Sequence, residues 1–278
     1  MATATETQQH SWPFYTPPEV VDVRGIATAY RRAGSGPAVV YLHGAGLTRR
    51  WLPFHERLSR RVDLVAPEQP GFGDTPMPPW LRSISDVVLH LDDLFETLGL
   101  GEVHLVGHSL GGWIAADFAV TYPRRLRSLT LVNALGLRVP GSPLYDIFRM
   151  TPDEADDILF NGQAARYGDY LEQGDPVEAL VHGYGEITTA ARLAYNPRYD
   201  HRLDRRLARV ACPALVVVSE DDHVVPRVHG ERYAELLPDA RLRVVEGTDA
   251  PTGHLPFVQE PERLADMIAD FVTEKVQS

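Results

Sequence analysis

Val103-His-Leu-Val-Gly107-His108-Ser109-Leu110-Gly111-Gly112-Trp113, continuing through Ile-Ala-Ala-Asp-Phe-Ala-Val-Thr-Tyr122 to Pro123, is the stretch that decides the fold. Its opening is a short apolar run of the kind a strand covered on both faces requires. The segment from Trp113 to Tyr122 reads as a helix that Pro123 closes, because the proline ring cannot continue one. G-x-S-x-G between them leaves no room for a loop, so the serine sits on a sharp strand-to-helix turn. That turn forces Ser109 out above the sheet edge, and the glycines remove side chains that would strike the neighbouring strand and helix.

The same alternation extends in both directions. Residues 39–42, 62–65, 129–132, 215–218 and 242–245 are short apolar runs that end in Gly, Pro, Asn or Ser. Upstream, 20–23 and 26–30 alternate in character around Arg24-Gly25, which predicts an antiparallel hairpin. Val87, Val88, Leu91, Leu94, Phe95 and Leu98 recur at three and four, with Ser85 as the expected N-cap and Gly99 as the stop. Pro261 suits a first helical turn, and Leu264, Met267, Ile268, Phe271 and Val272 form one apolar stripe behind it. Strands alternating with helices predict an α/β fold with a mostly parallel, doubly wound sheet. Residues 136–210 break that rhythm, with glycine and proline breaks, scattered aromatics and acidic helical stretches such as 152–159. The expected organisation is an N-terminal extension (1–19), a core built from 20–135 and 211–278, and a helical insertion (136–210).

Composition narrows the function. In 278 residues, 27 Lys and Arg face 38 Asp and Glu, a formal charge of -11 that argues against nucleic acid and anionic membrane surfaces. At 44% hydrophobic and 23% charged, the chain is that of a globular protein. Cys212 is the only cysteine, so no intrachain disulfide forms, and it reads as a small buried hydrophobe. Residues 1–16 show no basic start followed by an apolar run, and no run approaches the roughly 20 residues that span a bilayer. A cytoplasmic protein with a small-molecule substrate is expected, as a monomer or a homodimer.

Gly107-His108-Ser109-Leu110-Gly111 resembles the nucleophile elbow of the α/β-hydrolase fold, and the resemblance extends over nearly the whole chain from about Val20. It implies an oxyanion-hole loop after an early strand, which His43-Gly44-Ala45-Gly46 matches, with the backbone N–H groups of Ala45 and Leu110 facing the developing oxyanion. His43 itself reads as a residue that orders this loop. The family's order of serine, acid, histidine points to Ser109 as nucleophile and to Asp222, in Ser219-Glu-Asp-Asp222-His223-Val-Val-Pro226, as acid. Asp221 is the rival acid, and Ser219 stands where the family usually has glycine. Gly253-His254-Leu255-Pro256 matches the histidine loop, making His254 the base, although the preceding 246–253 loop is longer than usual. His223 could compete as base, and Asp249 could line the pocket or be a solvated turn residue.

Gly71-Phe-Gly73 is similar to the family's Pro-Gly-x-Gly turn and is no dinucleotide fingerprint, since no helix begins on it. His104 with His108, and His55-Glu56, lack metal-ligand spacing, so neither metal nor organic cofactor is expected. The resemblance is nearest to members with a helical cap. It makes 136–210 a lid whose aromatics, with Trp113, would build an apolar site, and the substrate-contacting residues expected are His43, His108, Trp113, Tyr145, Phe148, Tyr195 and Leu255. Ser109 excludes relatives with an aspartate nucleophile, the haloalkane dehalogenases and epoxide hydrolases. C–C hydrolases of ring-cleavage products commonly carry Asn before the serine and Trp after the histidine, where this chain has His108 and Leu255. Carboxylic ester hydrolysis is therefore the leading expectation. The alternatives are C–C hydrolysis of a vinylogous keto acid, a small-molecule receptor and a cofactor-free oxygenase.

Overall fold

Short β-branched and apolar runs pair into one eight-stranded sheet in the computed structural model, which describes residues 13–170 and 175–276. The strands are β1 (Glu19–Val23), β2 (Ile26–Gly34), β3 (Ala38–Leu42), β4 (Asp63–Pro67), β5 (Val103–His108), β6 (Leu126–Val132), β7 (Ala214–Ser219) and β8 (Ala240–Val245). Their spatial order is β1-β2-β4-β3-β5-β6-β7-β8. The hairpin β1-β2 and the pair β2-β4 are antiparallel, and every pairing from β4 through β3 to β8 is parallel.

Helices cover both faces, as a parallel sheet demands. They are α1 (Pro53–Ser59), α2 (Ile84–Thr97), α3 (Leu110–Thr121), α4 (Pro152–Leu159), α5 (Pro176–Ala194), α6 (Leu203–Arg206), α7 (Val228–Leu236), α8 (Pro256–Gln259) and α9 (Pro261–Val276). Strand β5 is buried along its full length, and its alternation divides the core. Val103 and Leu105 face a cluster with Phe95, Phe118 and Tyr233 from α2, α3 and α7. Val106 faces the other, with Phe54, Phe257 and Ile268 from α1, α8 and α9. Cys212 is buried, and burial pushes its thiol up to about 11.

Two helix starts differ from the sequence reading. Helix α2 is capped by Ser83 rather than Ser85. Ser83 Oγ accepts from Asp86 N–H while the Asp86 carboxylate accepts from Ser83 N–H, a reciprocal pair unavailable to Ser85, which lies inside the first turn. Helix α3 begins at Leu110, directly on the elbow, rather than near Trp113.

Between β6 and β7 the described residues contain no strand. They form α4, α5, α6 and 3-10 turns that pack on the core from both sides. Phe160 joins the cluster around Phe257, while Ala190, Leu193 and Ala194 join the opposite one. The expected extension, 1–19, falls partly on residues 1–12, outside the described residues.

Two features of the frame carry expected outcomes. A Cβ on Gly111 would lie 2.3 Å from Leu42 O and 2.5 Å from His43 O, contacts with backbone that a side-chain shift cannot relieve. Gly111→Ala therefore loses on the order of 1–3 kcal/mol or more of stability, read as a lower urea midpoint with unchanged slope. An unchanged midpoint would mean the elbow tolerates a wider approach of β3 and α3.

The second concerns buried histidines. Burial lowers both His90, bonded to Thr28 Oγ1, and His104, bonded to Ser128 Oγ, to about 4. Each takes a proton more readily unfolded, near its ordinary value of about 6.5, than folded. Stability is thus full above about pH 6.5 and falls toward pH 4 by about 1.4 kcal/mol per pH unit for each histidine. Urea titrations at pH 7, 6 and 5 measure it. His90→Gln should make the dependence shallower, and an identical slope would remove His90 from the account.

Candidate active site

Ser109 occupies the sharp turn between β5 and α3 at φ 53°, ψ −115°, a backbone strain that an L-residue accepts only where its surroundings enforce it. The enforcement is steric and hydrogen-bonded. Gly107 and Gly111 approach so closely that a Cβ on Gly107 would sit 2.3 Å from Gly111 O. Ser109 N–H donates to Val132 O at 3.0 Å, and Ser109 O accepts from the N–H of Gly112, Trp113 and Leu135. The strand-turn-helix thus delivers the hydroxyl to the carboxyl edge of the sheet.

Two loops from distant sequence meet it there. His254, buried before α8, places Nε2 2.9 Å from Ser109 Oγ and Nδ1 2.8 Å from Asp222 Oδ2. Asp222, in the loop after β7, accepts through Oδ1 from the N–H groups of Val224 (2.8 Å) and Val225 (2.9 Å). A carboxylate so fixed accepts a hydrogen bond from His254 Nδ1–H, which keeps the ring proton on Nδ1 and leaves the Nε2 lone pair to accept from the Ser109 hydroxyl. Asp221 faces elsewhere: it accepts from Asn161 Nδ2 at 3.0 Å, pairs with His223 Nε2 at 3.2 Å, and is 51% exposed. His223 is thus engaged by Asp221, and the ring nitrogen at Ser109 Oγ is that of His254. Asp249 is on the surface, paired with Arg166 at 2.7 Å.

The loop after β3 packs against the elbow, and a Cβ on Gly44 would lie 3.0 Å from Ser109 Cβ. His43 fixes this loop. Its Nε2 accepts from Gln69 N–H at 3.1 Å, so its Nδ1 donates to Gly44 O at 2.6 Å, and burial lowers its pKa. Leu110 opens α3, where its N–H has no preceding helical carbonyl to bond.

His108 points away from solvent. Its Nε2 donates to His254 O at 2.8 Å, its ring lies 4.9 Å from the His254 ring, and burial lowers its pKa well below the ordinary value. Leu255 is buried beside Phe257. Trp113 is packed in the core, where a Cβ on Gly136 would lie 2.7 Å from its ring. In the insertion, Tyr145 N–H donates to Val224 O, two residues from Asp222, and Tyr145 is 43% exposed. Phe148 and Tyr195 meet edge to face at 5.5 Å, and Tyr195 flanks a cleft of about 630 Å³ whose lining does not include Ser109.

Two contributors escaped the sequence reading. Asn133, at the end of β6, donates through Nδ2 to Ser219 Oγ (2.8 Å) and His254 O (3.2 Å), and accepts at Oδ1 from Ser219 N–H. Ser219 in place of the usual glycine therefore supplies a bond between strand ends. An asparagine directly after the run 129–132 was the available signal. Glu186, buried on α5, accepts from Thr48 Oγ1 and from Gly73 N–H at 3.2 Å, and pairs with His182 at 3.3 Å. Burial opposes its ionisation, but bonds from His182 and Thr48 outweigh this and hold its pKa below the usual carboxylate value. It ties the insertion to the loop after β3, a long-range contact with no local sequence signature.

Among the described residues no three His, Cys, Asp or Glu side chains gather as a metal-ligand set, and no helix is long and apolar enough to cross a membrane.

Comparison with known proteins agrees with this fold. The model of an alpha/beta hydrolase family matches residues 39–267. A Pseudomonas savastanoi pv. phaseolicola protein named as carbamate hydrolase RutD is 29% identical over 255 residues, covering 85% of this chain and 93% of its own. A 2-hydroxy-6-oxo-6-(2'-aminophenyl)hexa-2,4-dienoic acid hydrolase of Metapseudomonas resinovorans is 26% identical over 277 residues, covering 92% of this chain and 90% of its own. The solved structure of a meta-cleavage product hydrolase from Pseudomonas fluorescens matches with a TM-score of 0.77 at 22% identity, over 93% of this chain and 98% of that one.

Proposed function

The chain belongs to the alpha/beta hydrolase family, and from that premise we propose that it is a serine hydrolase cleaving a carboxylic ester of a small or medium, largely apolar substrate through an acyl-enzyme. The observation that carries the reading is the hydrogen-bonded sequence Ser109 Oγ, His254 and Asp222, with spans of 2.9 Å and 2.8 Å, on a strained elbow. Ser109 Oγ attacks the ester carbonyl carbon as His254 Nε2 takes its proton. Asp222 stabilises the resulting imidazolium and holds the ring in place. The oxyanion is received by the N–H groups of Ala45 and Leu110, a kind of contact worth about 2.7–4 kcal/mol per donor in the transition state. His254 returns the proton to the departing alcohol oxygen. Water, deprotonated by the same nitrogen, then attacks the acyl carbon and frees the acid and Ser109.

Relatives named for C–C and carbamate cleavage keep a second reading open within the same family, the cleavage of a vinylogous keto acid. His108 and Leu255, at positions where C–C hydrolases of ring-cleavage products commonly carry Asn and Trp, favour the ester. A chromogenic ester series of increasing acyl length, run beside a ring-cleavage dienoate, decides between them. Multiple turnovers on short and medium esters with little loss of dienoate absorbance are expected. Efficient bleaching of the dienoate with negligible ester turnover would transfer the assignment to C–C hydrolysis, and a single slow acylation of Ser109 without turnover would make the protein a binder.

A further inference from the structure

Behind the loop that follows β3 lies a small cavity of about 30 Å³ whose walls include Arg31, Tyr41, His55, Glu68, His108 and Phe257. Among the described residues, three of these wall residues carry a buried polar atom that finds no hydrogen-bond partner: Arg31 Nη2, His55 Nε2 and His108 Nδ1. The residues that carry them are almost wholly enclosed, with Arg31 and His55 5% exposed and His108 2% exposed. A buried polar group left unsatisfied is costly, so three on the residues around one cavity call for an occupant.

The bonds these side chains make elsewhere fix what each free atom offers. Leu52 N–H donates to His55 Nδ1 at 3.0 Å, so the neutral ring carries its proton on Nε2. His108 Nε2 donates to His254 O at 2.8 Å, so its Nδ1 presents a lone pair. Arg31 spends Nε on Thr16 O at 2.7 Å and Nη1 on Glu68 Oε1 at 2.6 Å, leaving Nη2 as a donor. Burial keeps both rings neutral, with His55 lowered to about 3 and His108 well below its ordinary value. The occupant must therefore accept from two groups and donate to a third.

We propose that this cavity is a permanent water site in which ordered water accepts from Arg31 Nη2 and His55 Nε2 and donates to His108 Nδ1. A water requires about 10–15 Å³ of such space and two to four polar partners, so a cavity of about 30 Å³ has room for two or at most three. An anion would meet the His108 lone pair and the Glu68 carboxylate. A cation would meet the Arg31 guanidinium and the His55 N–H. Only a molecule that both donates and accepts suits all three atoms. The water joins the Arg31–Glu68 pair to His108, and His108 in turn holds the backbone carbonyl of His254, which makes His108 a positioning residue. The proposal is independent of which bond the protein hydrolyses, and its readouts involve no substrate.

A high-resolution crystal structure with a bromide soak, together with long-range ¹H–¹⁵N spectra of the histidine rings, tests it. Expected are solvent density bridging His55 Nε2 and His108 Nδ1, no anomalous bromide signal in the cavity, both rings in the Nε2–H form, and a nuclear Overhauser effect from the His55 ring N–H to water. In His55→Phe, which keeps a ring but withdraws the donor, the His108 Nδ1 resonance should move toward the value of an unbonded nitrogen. A bromide peak in the cavity, an empty cavity without the water signal, or a proton on His108 Nδ1 overturns the proposal. The wild-type measurements decide even if the variant does not fold.

Discussion

Ser109→Ala is expected to leave a folded protein whose ester turnover falls by about 10⁴-fold or more, beyond which only binding and oxyanion contacts remain. Folding should survive because the substitution removes one oxygen whose described side-chain partner is His254, while the backbone bonds that set the elbow come from Ser109 N and O and remain. Without Oγ there is no atom to form the acyl-enzyme, and the base has no proton to take. His254→Ala should lose a comparable factor, and the double variant little more, since the two residues act as one unit. Burst titration with a chromogenic ester and circular dichroism separate lost chemistry from lost structure. Near-normal turnover by folded Ser109→Ala would end the proposed mechanism.

Asp222→Asn should lower kcat by roughly 10⁴-fold with little change in fold, because it reverses the tautomer of the base. Asp222 Oδ1 accepts from Val224 and Val225 N–H at 2.8 Å and 2.9 Å, so in the amide that position must remain oxygen. The new NH₂ then faces His254 Nδ1 at the position where Oδ2 sits at 2.8 Å. Nδ1 becomes an acceptor, the ring proton moves to Nε2, and Nε2 can no longer accept from Ser109. Asp221→Asn, at a 51% exposed residue paired with His223, should stay within about twofold of the parent, as surface changes of this kind usually do. Full activity in Asp222→Asn, or collapse in Asp221→Asn, would move the acid to Asp221.

The buried runs at 39–42, 103–106 and 215–218 form β3, β5 and β7 within a residue or two, because a strand covered on both faces must be apolar throughout. The Ser83 cap was less legible, since Ser83 and Ser85 are chemically alike and only the reciprocal bond with Asp86 separates them. Helix α1, with seven residues and a buried histidine, carries too little periodicity to be read in advance.

What the sequence determined by itself was local chemistry: alternating strand and helix, a serine between glycines on a turn too tight for any other arrangement, and a histidine and two carboxylates in downstream loops. Only the tertiary structure chose between adjacent Asp221 and Asp222, because one residue along an irregular loop reverses the direction of a carboxylate. It alone turned His108 to the backbone of His254, and brought Asn133 and Glu186 to the loops they hold. Those relations join groups such as Thr48 and Glu186, 138 positions apart, and depend on strand order and packing, which no local pattern encodes.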